Sequence, residues 1–94
     1  MENPKRLKSS TAVRLGSLMS PFYRTGLMNA ADGSLCAMGA AYLAETGKYP
    51  STVSSYSEVF KVFPEFEAHK EIIWNLNYLK GREGVADFLE SQGL

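Results

Sequence analysis

Cysteine and histidine each occur once in these 94 residues. A single cysteine excludes a disulfide framework within the chain and any zinc site built on several thiolates, and one histidine cannot fill the missing ligand positions. Glu65, Glu67 and Glu71 are close in sequence, but spacings of two and six residues do not bring them together on one helix face. We therefore expect no metal. Phosphate-cradling loops are lacking as well, since GSLCAMG has neither the spacing of a dinucleotide fingerprint nor the Lys-Ser/Thr of a phosphate loop. No cofactor is expected. Long apolar runs are absent, and no stretch approaches the ~18 to 20 residues needed to span a bilayer. The basic opening MENPKRLKSSTAVRLGSLMS has no continuous apolar segment behind it, so it reads as neither secretory leader nor anchor. Sparse cysteine fits a reducing, cytoplasmic setting.

What is present is the composition of an ordinary globular chain, 45% hydrophobic and 21% charged. Residues 1–94 read as one domain, with no repeat, low-complexity stretch or linker. A domain of this size buries only roughly 60 to 65% of the surface its unfolded chain exposes. The formal net charge is zero, yet Lys5, Arg6, Lys8, Arg14 and Arg24 against Glu2 give residues 1–24 a charge of +4 and leave −4 on the rest. That polarity suits an acidic partner at the N-terminal end or head-to-tail contact between copies; its plainer meaning is a solvated helix face.

The periodicity predicts a mainly α fold of four to five helices. Asn3 as N-cap and Pro4 at the first helical position open the first, which Ser20-Pro21 should end. Leu7, Leu15, Leu18 and Phe22 fall on one side of it, with Met19 beside them. A short β-hairpin or an ordered loop is expected near residues 23–36, around the Asp32-Gly33 turn signal. A second helix should run from Leu35 to Thr46, capped by Ser34 and followed by Gly47 in the left-handed position. Cys36, Ala40 and Leu43 share one face there, with Gly39 adjacent, and the small side chains from Ala37 to Ala44 let another element approach closely. Ser55 and Glu58 are spaced as a capping box for a third helix carrying Val59, Phe60, Val62 and Phe63. Pro64 ends it or begins the next. Residues 64–79 fit a fourth helix using Phe66, Ile73 and Leu76, while residues 71–79 fit a strand with Ile72, Trp74 and Leu76 on one face; the Pro64-Glu65 start and the Glu, Ala, His and Lys of the segment favour helix. A closing helix follows, packed through Val85, Phe88 and Leu89 and stopped near Gly93.

One catalytic constellation can be drawn, with Cys36 as nucleophile and His69 as its base. Cysteine at the head of a helix and histidine further along is the order of papain-like and related amidase folds, but no residue is identifiable that would orient His69. The other reading of Cys36 is a small apolar side chain in the packed face of an alanine-rich helix. Arg6, Lys8 and Arg14 make the first helix the only candidate for nucleic-acid contact, without an aromatic platform among them. Eleven aromatic residues are many for so small an interior. Phe22 and Tyr23 are candidates for a partner surface, while Phe60, Phe63 and Trp74 are expected in the core.

DGSLCAMGAAYLA, then IIWNLN, then REGVADFLE resemble a group of small bacterial and phage proteins with no established activity. Gly33, Cys36, Ala37, Gly39 and Ala40 match the first block, Trp74 and Asn75 the second, and Glu83, Val85 and Leu89 the third; Leu76 stands where that group has aspartate. The resemblance implies a shared small fold in which Cys36, Gly39, Ala40 and Trp74 are structural. The expected function is a non-enzymatic protein-binding domain, its partner a second copy of itself and its origin phage. The alternatives are a minimal cysteine hydrolase using Cys36 and His69, and nucleic-acid binding through the basic first helix.

Overall fold

The computed structural model describes residues 6–20, 23, 33–50 and 56–94. Among these residues five helices succeed one another: α1 (Ser9–Met19), α2 (Ala37–Thr46), α3 (Ser57–Val62), α4 (Pro64–Ala68) and α5 (Lys70–Ser91). Among the described residues there is no strand, only an isolated parallel bridge between Tyr23 and Leu35. The architecture is thus mainly α, as the spacing predicts. The hairpin expected near residues 23–36 falls largely outside the described residues, and the parallel sense of this bridge is not that of a hairpin ladder.

The most extensive contact joins α1 to α2, and small residues cause it. α1 turns Ser9, Ala12, Val13 and Gly16 inward, against Ala37, Gly39, Ala40 and Ala41 on a helix buried almost all round. A β-carbon on Gly16 would stand 1.8 Å from the Ala40 carbonyl oxygen. The two backbones touch because neither carries bulk at the crossing. Beneath this pair, Val59, Phe63, Phe66, Ile73, Val85 and Leu89 close the core around Cys36 and Met38. Phe63 stacks on Phe66 at 4.9 Å between ring centroids.

α5 is two arms joined at Gly81, whose φ of 70° and ψ of −168° belong to a region that only glycine enters without strain. Its second arm runs antiparallel to α1: the Ser10 amide donates to the Leu94 carbonyl at 3.3 Å, and Arg14 reaches Asp87 at 2.7 Å and Glu83 at 3.4 Å. Pro64 begins α4, where its missing N–H costs no helical bond. Gly47 closes α2 in the left-handed conformation, its amide donating to the Leu43 carbonyl.

Several expectations are corrected. α1 starts at Ser9 after an N-cap at Lys8, a full turn later than Asn3 and Pro4 suggest; those two lie outside the described residues. Its large apolar residues face outward, not inward: Leu15, Leu18 and Met19 are exposed, because the close approach to α2 admits only the small face. Cys36 caps α2 in place of Ser34, and Tyr56 caps α3 in place of Ser55, which is not among the described residues. Residues 71–79 are helical. Trp74 is not a core residue. It is 39% exposed, its ring tilted 59° to that of Tyr56 at 5.7 Å between centroids, while the adjacent Ile73 takes the inward position.

Candidate functional site

Two features stand out at the end of the molecule where α1 finishes, α2 begins and α5 bends. The first is a buried polar cluster. Arg82, the first residue after the Gly81 bend, points inward, and its guanidinium donates to the Leu35 carbonyl at 2.7 and 3.1 Å and to the Ser20 carbonyl. On the other side of the bend the Asn77 side-chain oxygen accepts the Ala37 amide at 3.0 Å, satisfying an otherwise orphan donor in the first turn of α2. The Asn77 carbonyl accepts from the Tyr23 hydroxyl. The two arms of α5 therefore hold the end of α1, residue 23 and the head of α2 in one place. Burial draws the Arg82 guanidinium below its ordinary pKa, the expected sign for a cation removed from water.

Cys36 sits inside this cluster and is 2% exposed. Burial pushes its thiol up, against the opposing pull of the Gly39 and Met38 amides, the Tyr56 hydroxyl and the Arg82 charge. Desolvation outweighs the helix-end amides, so the thiol stays protonated at neutral pH. His69 is placed by a different contact, its ring edge-on to Phe88 at 5.6 Å, and the groups acting on the Cys36 sulfur come from α2, Tyr56 and Arg82. The notch beside His69, about 250 Å³, is lined by the consecutive residues 67–72 and is an open turn of chain. Among the described residues no group of three or more His, Cys, Asp or Glu side chains could hold a metal ion.

The second feature is apolar and faces solvent. Leu18 is 81% exposed, Tyr78 73% and Leu79 71%. Leu15, Leu18 and Met19 stand at helical spacing on the outer face of α1. Tyr78 and Leu79 end the first arm of α5, and Tyr23 lies beside Tyr78: its hydroxyl is held on Asn77 and its phenol is raised by burial, then by the neighbouring Cys36 and Tyr78. Of the residues expected to bind a partner, Tyr23 belongs to this face, and Phe22 lies outside the described residues.

Arg6 and Arg14 find partners within the chain. Arg6 grips Glu65 through both carboxylate oxygens at 2.9 and 3.2 Å, donates to the Val62 carbonyl at 2.7 Å and lies 4.7 Å from the centre of the Phe63 ring. Arg14 binds Glu83, Asp87 and Glu90. Lys8 is exposed ahead of α1. The acidic half that the basic segment was expected to meet on another copy is met on its own. Gly39 and Ala40 are buried in α2.

Reading the sequence does not single out Arg82, Asn77 or Gly16. Each leaves a trace: Asn77 continues the Ile73 line four residues on, a polar residue on an apolar stripe; Arg82 stands between two glycines in KGREG; and Gly16 ends the small-residue series Ser9, Ala12, Gly16. Comparison with protein-family models, curated proteins and solved structures returns no match. No helix among the described residues is long and apolar enough to cross a membrane.

Proposed function

We propose that this chain is a protein-binding domain that works through its exposed apolar end and without chemistry at Cys36. The observation that carries the reading is the solvent-facing group of Leu18, Tyr78 and Leu79, large side chains left outside although the helices that bear them are packed on their opposite faces. Isolated exposed apolar residues are ordinary on any protein; several large ones gathered at one end, rich in Tyr and Leu, favour a contact surface. The burial of Cys36 and its raised thiol favour a structural role over a nucleophilic one. The engagement of Arg6 and Arg14 with carboxylates weighs against nucleic acid, whose phosphates need such cations free.

The test is photocrosslinking from single positions. With a benzophenone amino acid at Leu18 or Tyr78, irradiation is expected to give protein adducts; at Glu67, exposed on α4, it is expected to give none. Absence of adducts from both apolar positions would contradict the reading.

A further inference from the structure

We propose that the face formed by Leu15, Leu18, Met19, Tyr23, Tyr78 and Leu79 is the contact surface of a symmetric dimer, so that its occupant is a second copy of this chain. This rests on the proposed function and names its partner. Area is the first argument. At their exposed fractions the six residues, gathered where Arg82 ties the end of α1 to the bend of α5, together offer on the order of 700 to 800 Å² to solvent, an amount comparable with the ~800 Å² each partner contributes to a standard-size interface. A two-fold axis through the face lets it cover itself, with no other surface required.

Charge is the second argument. None of the six described side chains is charged at neutral pH, so their apolar surfaces can meet their counterparts without opposing like charges. At its margin, Lys80 is exposed before the bend. Beyond the bend lie Glu83, Asp87 and Glu90, three carboxylates sharing the single guanidinium of Arg14. A two-fold arrangement can set Lys80 of each copy toward the carboxylate stripe of the other. Because Arg6 and Arg14 are already paired within the chain, contact between a basic helix and a foreign acidic half is not the driving force; apolar burial is, with Lys80 fixing register.

Sedimentation equilibrium of the full chain at micromolar concentrations is expected to give twice the 10.4 kDa chain mass. Leu18→Glu and, separately, Tyr78→Glu are expected to raise the dissociation constant ~10-fold or more with helicity unchanged, since both side chains point to water. Leu18→Gln serves as the milder variant if a new charge disturbs α1. Lys80→Glu is expected to weaken pairing several-fold in low salt only, whereas the wild-type dimer persists in half-molar salt. A wild-type monomer throughout, or a dimer indifferent to the Leu18 and Tyr78 changes, would overturn the proposal. A monomer that still crosslinks from Leu18 to a different protein would overturn self-pairing and leave the binding-domain reading standing; no adduct to any protein would remove both.

Discussion

Cys36 shows how one side chain can have two opposite readings until its surroundings are known. Its place as N-cap of α2 gives the sulfur helix-end amides, which favour a thiolate, but its burial removes the water that a thiolate needs. Burial wins, and the consequence is measurable. The folded thiol lies above its ordinary value of 9.0, so an unfolded chain releases the proton first as pH rises through about 9, and the folded state then holds more protons. The stabilising contribution is complete below that pH and is lost above it, at up to ~1.4 kcal/mol per pH unit. Denaturant midpoints of wild type and Cys36→Ala, followed from about pH 8 to 10, are expected to converge with rising pH, before the raised Tyr23 and Tyr42 hydroxyls begin to titrate. Parallel curves would show that the thiol is solvated.

At the scale of elements, the α1 and α2 pair decides which faces of the molecule are wet. Gly16 is its pivot. Gly16→Ala places a methyl group 1.8 Å from the Ala40 carbonyl oxygen, a backbone atom that cannot swing aside, and is expected to cost about 2 kcal/mol or more through forced separation of the helices. Thermal or urea denaturation reads this directly; an unchanged midpoint would mean that the helices are further apart. The same pair explains what was legible beforehand. The small residues of α2, its end at Gly47 and the apolar positions Ile73, Val85 and Leu89 follow from propensity and period, which are local. The outward face of α1 does not, because hydrophobicity alone assigns Leu15 and Leu18 to the interior. Steric closeness to α2 reverses the assignment, and closeness is a property of two segments at once. Trp74 fails for a related reason, since both it and Ile73 suit burial and only the direction of α5 separates them. The Gly81 bend and the inward Arg82 were equally out of reach, as their stabilising contacts, the Leu35 and Ser20 carbonyls, are 47 and 62 residues away in sequence.

For the whole molecule, part of the charge polarity along the chain is met within it: α1 lies on the acidic second arm of α5, and the ion pairs of Arg14 run along that contact. These pairs are exposed and screened by solvent, so they set orientation more than stability. The surface of 5407 Å² is what a monomer of this mass presents, about 5400 Å² by the usual scaling. The outward leucines and tyrosines are therefore not the mark of a loosely folded chain; they belong to a folded one that leaves an apolar end uncovered. The most direct test of that end as a contact surface is the concentration dependence of backbone amide resonances. On dilution through the micromolar range, chemical shifts are expected to move for residues 15–19 and 78–80 and to stay fixed for residues 57–71. Shifts that do not depend on concentration, or that move on the α3 and α4 side instead, would contradict the account.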